Sequence, residues 1–251
     1  MFLRQLPGRE TAFPSSSFPR QRESVAKVMG RLYAVLNKDA RTLGTVFMNA
    51  TLLPYRLTWW LVFALMAAPL AGLVVLAFTG GLGANPIEFI NRYLGDWALR
   101  ALLVALAATP LKIVFGWTWP VRMRRMLGLW AFAYVTLHIS NYVGVDQFFD
   151  WAAIGTDIIK RNYITVGMAT YVILAALAAT SPKAMIRRLG GKTWKRLHKF
   201  VYLAGALGCV HYFMMVKADT LPPLIHAGVL AALLGVRGWQ RLRGRSRTTR
   251  A

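Results

Sequence analysis

Residues 57–78 read LTWWLVFALMAAPLAGLVVLAF, with no charged side chain among them. A hydrocarbon core roughly 30 Å thick takes about 20 apolar residues to cross as a helix. This stretch therefore reads as a membrane span. Five more apolar blocks follow it: Ala98–Phe115, Met126–Val143, Ile164–Thr180, Phe200–Val216 and Leu221–Val236. Eight of the nine tryptophans, Trp59, Trp60, Trp97, Trp117, Trp119, Trp151, Trp194 and Trp239, lie at or near block ends, where an aromatic belt belongs. The expected fold is an all-α integral membrane protein, a six-helix transmembrane bundle.

The composition agrees. The 251-residue chain is 56% hydrophobic and only 16% charged, with positive mean hydropathy; soluble domains carry about 25% charged residues. A net charge of +22 first suggests nucleic acid. Its distribution argues against that. Taken loop by loop, twenty-five Lys and Arg fall on one side of the alternating blocks, in 1–56, 112–125, 181–196 and 237–251. The other side has Arg92, Lys160, Arg161 and Lys217, together with Glu88, Asp96, Asp146, Asp150, Asp157 and Asp219. The positive-inside rule then places both termini in the cytoplasm, with the basic tails against anionic lipid.

The chain divides into a basic N-terminal extension (1–50), a transmembrane domain (51–240) and a basic tail (241–251). Residues 1–24 are expected to be disordered, and 25–40 to form a short surface helix. Segment 146–162 is expected to lie as an amphipathic piece on the outer surface. The lone cysteine, Cys209, excludes an internal disulfide and a Cys-x-x-Cys-His haem attachment; it reads as a packing residue.

Four histidines fall in or beside apolar blocks, where ionisable groups are costly and mark function. His138 lies 13 residues beyond Arg125, and His211 lies 13 beyond His198. At 1.5 Å per residue each step is about 20 Å, so both residues fall in the outer half of their helices. Two imidazoles at matching depth on different helices suit the axial positions of a b-type haem in the bundle interior. His198 lies near the inner face. His226 has no obvious partner and reads as structural. No Asp or Glu occurs inside any block. That disfavours zinc or non-haem iron, a proton-coupled transporter and a Ser/His hydrolase.

The motifs Gly80-Gly81-Leu82-Gly83-Ala84-Asn85-Pro86, Arg124-Arg125-Met126-Leu127-Gly128-Leu129-Trp130, Leu137-His138, Tyr163-Ile164-Thr165-Val166-Gly167, Trp194-Lys195-Arg196-Leu197-His198-Lys199-Phe200-Val201-Tyr202 and His211-Tyr212 carry a specific likeness. Over roughly residues 50–240 the chain resembles the MsrQ (YedZ) family of haem-binding membrane subunits, within the ferric reductase-like transmembrane superfamily. The resemblance implies a subunit of the bacterial inner membrane that carries electrons for a methionine sulfoxide reductase system. It implies haem b, with FMN and a cytosolic flavin reductase, or the quinone pool, as the electron source. It implies as acceptor a periplasmic molybdopterin subunit of the MsrP type, in which the sulfoxide chemistry takes place and which repairs oxidised proteins.

Oxidases of this superfamily carry two histidines on each ligand helix. Here the position 14 residues before His138 is Arg124. His138 and His211 are therefore the expected axial ligands of one haem iron, with His198 as a second or alternative ligand and a second haem left open. His198 and His211 are about 220° apart on an ideal helix, so the glycines between them, Gly205 and Gly208, are candidates for a kink. A flavin donor is expected at the inner face near Arg124, Arg125, Lys192, Trp194 and His198. The chain stops 15 residues after the sixth block, with no room for appended flavin and nicotinamide domains, so a relay is expected. The alternatives are a stand-alone ferric reductase-like oxidoreductase and a cofactor-free transporter.

Overall fold

The computed structural model describes residues 54–216 and 218–248. The N-terminal extension, with its expected surface helix at 25–40, lies outside the described residues. Among the described residues all regular structure is helical: α1 (Tyr55–Phe78), α2 (Pro86–Phe115), α3 (Trp119–Ser140) running into a π-helical segment (Asn141–Asp146), α4 (Trp151–Lys160), α5 (Asn162–Ala179), α6 (Lys183–Leu189), α7 (Gly191–Leu197), α8 (Phe200–Met215) and α9 (Leu221–Thr248).

The helices extend past the apolar blocks where capping chemistry says they should. α2 starts twelve residues before its block. Asn85 accepts a hydrogen bond from Glu88 N, Pro86 opens the first turn, and Glu88 places a negative charge there. α2 ends at Gly116, whose φ of 76° closes the helix in the left-handed conformation. α9 continues to Thr248, beyond its apolar block. The polar segment after α3 contains a short helix, α4. Asp150 caps it by accepting from Ala152 N and Ala153 N, and only Ile154 is buried. Gly190, with φ 74° and ψ 146°, makes the turn between α6 and α7 in a region that other residues avoid.

Among the described residues, four helices are long and apolar enough to cross a membrane: α1, α2, α5 and α9 as far as Arg243. α3 carries Arg122, Arg124 and Arg125 in its first turns, and α8 has only 16 residues. α2 is the central helix. It packs along α3, α5 packs along α8, and α9 closes against α2 and α8. Their shared core contains Leu99, Leu102, Leu103 and Leu106 from α2, Met123, Leu127, Ala131 and Tyr134 from α3, Leu174 and Leu177 from α5, Ala204 and Cys209 from α8 and Leu230 from α9. α1 buries only Met66 and Pro69. Two tyrosines hold it to the bundle: Tyr134 Oη donates to Met66 O at 2.6 Å, and Tyr93 Oη donates to Pro69 O at 3.0 Å. Leu61, Leu65, Val74, Val75 and Phe78 of α1 face outward. A helix apolar all round and bare on one side is at home in lipid.

Candidate functional site: a facing histidine pair

His138 sits near the end of α3, and His211 sits near the end of α8. Their ring centroids are 6.2 Å apart, with the ring planes at 81°. Each imidazole is fixed by the helix next to it. His138 Nδ1 is 2.9 Å from Asn91 O on α2. His211 Nδ1 is 2.8 Å from Tyr163 O on α5. A carbonyl only accepts, so each Nδ1 carries the proton and donates it. Each Nε2 then keeps its lone pair for a metal.

The two anchors share one construction. Within a helix, the side chain four residues on stands over a given carbonyl. Four residues after Asn91 is Gly95, and four after Tyr163 is Gly167. A Cβ on Gly95 would lie 3.3 Å from both His138 Cε1 and Nδ1; one on Gly167 would lie 2.9 Å from His211 Cε1 and 3.0 Å from Nδ1. Each imidazole occupies the volume a side chain would fill and reaches the carbonyl behind it. Sequence reasoning missed Asn91 and Gly95 altogether, because they sit in the polar first turns of α2 that the apolar-block reading left out. Beside His138, Asn91 Oδ1 is buried without a hydrogen-bond partner.

The donor set decides what metal chemistry the pair suits. Among the described residues no group of three or more His, Cys, Asp and Glu side chains is placed to hold a metal ion. Zinc and non-haem iron need three or four protein ligands. Two imidazoles suffice only where a macrocycle supplies the other ligands, as in haem. With metal–imidazole bonds of about 2.0–2.1 Å, one metal atom between two rings spaces their centroids by about 6.3 Å, against 6.2 Å here. The residues fit a haem.

His198 stands apart from this pair. It caps the C-terminus of α7, and α8 starts only at Phe200. The 220° reckoning along one continuous helix therefore does not apply. Gly205 and Gly208 serve packing: a Cβ there would touch Leu106 and Leu230, or Leu99, at 3.4 Å. His198 stacks on Trp194 with centroids 4.0 Å apart. Trp194 Nε1 donates to Thr180 O at 2.9 Å. The Thr180 hydroxyl gives its proton to Ala176 O at 2.7 Å, so it accepts from His198 Nε2 at 3.3 Å. The ring thus commits the nitrogen that the other two keep free. Burial, and then the Arg124 charge nearby, hold the His198 imidazole below its ordinary pKa. His226 is buried, with Nδ1 2.7 Å from Pro222 O and its ring against Tyr212.

The chain matches a known domain family, the ferric reductase like transmembrane component, over residues 94–209. That stretch contains His138, Gly95, Tyr163 and Gly167; Asn91 lies three residues before it and His211 two residues beyond it. Full-length relatives narrow the class. The chain is 60% identical over 161 residues to the protein-methionine-sulfoxide reductase heme-binding subunit MsrQ of Rhodospirillum rubrum, covering 64% of this chain and 77% of the relative. It is 46% identical over 197 residues to the MsrQ of Caulobacter vibrioides (78% and 92% covered), and 45% identical over 186 residues to that of Herminiimonas arsenicoxydans (72% and 85%). The chain belongs to the MsrQ family.

Proposed function

We propose that this chain is the haem b-carrying, electron-transferring membrane subunit of a methionine sulfoxide reductase system. One observation carries the reading: two imidazoles 6.2 Å apart, each turned by a carbonyl of a neighbouring helix, with no third protein ligand beside them among the described residues. The named relatives are heme-binding subunits, which supports it.

In this reading α3 and α8 also cross the bilayer, which gives six spans and a haem in the bundle interior. His138 and His211 would hold it between them. Bound haem supplies a one-electron carrier in a low-dielectric setting. Asn91 O and Tyr163 O hold the Nδ1 protons and so leave both Nε2 lone pairs free for a metal. Gly95 and Gly167 allow the rings to seat, and the leucine-rich α2 excludes water. Electrons arrive at the cytoplasmic face, from the quinone pool or from a flavin reductase whose FMN docks near Arg124, Arg125, Lys192, Trp194 and His198. A stacked Trp194–His198 pair gives an isoalloxazine a surface to lie on. His198 serves that inner side. Electrons leave to a periplasmic molybdenum subunit of the MsrP type, where oxidised methionines are reduced.

A visible spectrum of the detergent-purified protein, made with ample haem, tests the cofactor. A Soret band that sharpens and gains visible bands on reduction is expected; a colourless protein refutes the reading. The match to ferric reductase-like domains favours one rival, direct reduction of a small iron chelate. Reoxidation of the reduced protein is expected to be faster with the molybdenum subunit than with ferric chelates. Equal rates would favour the rival.

A further inference from the structure

The end of the bundle opposite the histidine pair holds a cation without a counter-ion among the described residues. Arg237 on α9 is half-buried against α2 and α8. Its Nη2 donates to Leu106 O at 2.6 Å, and its Nη1 donates to Tyr202 Oη. The Tyr202 ring lies 5.0 Å from its Cζ. Its Nε is buried and has no hydrogen-bond partner. Among the described residues, the charges close enough to act on it are those of Arg241 and Arg124, both repulsive. The acids among the described residues are Glu88, Asp96, Asp146, Asp150, Asp157 and Asp219, and all lie towards the other end of the bundle. Asp96 is ten residues from Leu106 along α2, about 15 Å away.

Two neutral acceptors satisfy hydrogen bonds but not charge. A part-buried guanidinium is costly unless an anion pairs with it, and two further arginines add to the cost. The depth says which anion is at hand. Arg237 is 16 residues after Leu221, about 24 Å along α9, close to the roughly 30 Å of a hydrocarbon core. Lipid phosphates begin at that level. Guanidinium forks suit phosphate oxygens, and three positive charges favour a lipid with net negative charge over a zwitterion.

We infer that Arg237 and Arg241, with Arg124 opposite, form a phosphate site at the inner membrane face, filled by the headgroup of an anionic phospholipid. Tyr202 and Leu106 O hold Arg237 in place, and its unpaired Nε–H is left to the ligand. The site depends on α9 crossing the membrane, and not on the haem assignment.

The test uses the full-length protein, delipidated in detergent and followed by native mass spectrometry. Separate arms add phosphatidylglycerol, phosphatidylcholine, FMN and inorganic phosphate, and absorbance tracks haem per protein throughout. Phosphatidylglycerol is expected to bind about tenfold more tightly than phosphatidylcholine, the effect of one charge-assisted contact. Arg237→Gln and Arg241→Gln should remove the preference, Arg237→Lys should keep part of it, and Arg188→Gln should leave it whole. Arg241 is exposed, so its variant reports even if Arg237→Gln misfolds. Equal binding of the two lipids, with no response to FMN or phosphate, overturns the site. FMN or phosphate binding that the same variants abolish, without lipid preference, overturns the lipid as its source. Haem loss in Arg241→Gln with lipid preference intact would give the cation to the cofactor and overturn the inference.

Discussion

Replacing Gly167 by alanine adds one methyl group beside the His211 ring. That methyl would lie 2.9 Å from Cε1 and 3.0 Å from Nδ1, whereas carbon atoms rest at about 3.5–4.0 Å. The ring must retreat by roughly 0.6 Å, which stretches the 2.8 Å bond to Tyr163 O to about 3.4 Å, past the useful range for N–H···O. The lost bond costs about 0.5–1.5 kcal/mol, and alanine returns about 1 kcal/mol of helix propensity. Folding stability should therefore change little. The His211 imidazole, however, loses the contact that aims its Nε2. Losses of this kind weaken metal binding about 10- to 100-fold, or roughly 1.4–2.8 kcal/mol. Gly95→Ala meets His138 at 3.3 Å and should do the same to a smaller degree. Gly208→Ala meets only Leu99 at 3.4 Å and should do nothing. The assay is haem loss to a scavenging apoprotein, followed in the visible, beside a tryptophan-fluorescence melt. The expected order of haem loss is Gly167→Ala, then Gly95→Ala, then Gly208→Ala and wild type together, with similar melting points. Equal haem retention in all four proteins would refute the proposed role of the two glycines.

His138→Ala or His211→Ala should leave a five-coordinate or lost haem, while His198→Ala should keep most haem and slow reduction from the cytoplasmic side. Loss of the low-spin signal in His198→Ala with its retention in His211→Ala would reassign the pair. The His198 pKa is lowered on folding by burial and Arg124, so the unfolded chain binds that proton first as pH falls. The corresponding stability is present above about pH 6.5 and is lost below it; melting curves from pH 5 to 7.5 should fall more steeply for wild type than for His198→Gln, and parallel curves contradict this. Tyr134→Phe removes the bond to Met66 O and should cost about 1 kcal/mol in a melt, whereas an unchanged midpoint would mean that α1 does not depend on it. A reporter fused after Ala251 should act only in the cytoplasm, given twenty-five basic residues on that side against four; activity confined to the periplasm would reverse the topology.

Hydrophobic blocks made the helices legible because a span must be apolar along its length. They failed at α2, whose first turns hold Glu88, Asn91, Arg92 and Asp96. Those residues are helical through their cap and their packing on α3, which a hydropathy window does not see. The block reading also placed the third helix at Met126–Val143; the helix begins at Trp119 and gives way to a π-helical segment at Asn141. Pro120 in the first turn was the available signal for that start. The reading of His198 and His211 as points on one helix failed for a related reason. The chain breaks between α7 and α8, and periodicity across a break carries no angle.

Depth along a helix can be read from sequence, since the rise per residue is fixed. That is why His138 and His211 could be matched before any coordinates. Which nitrogen each ring presents could not be read, because it depends on a carbonyl 47 or 48 residues away. Those carbonyls decide the difference between the pair and His198. All three histidines lie beside apolar helix surface. Two give their Nδ1 proton to backbone oxygens across a glycine; the third spends Nε2 on the Thr180 hydroxyl. An axial ligand needs its lone pair on Nε2 and a ring that cannot turn. A main-chain acceptor provides both more rigidly than a rotatable hydroxyl. The glycine at each crossing is therefore part of what aims its histidine, because a side chain there would push the ring off the carbonyl that fixes it.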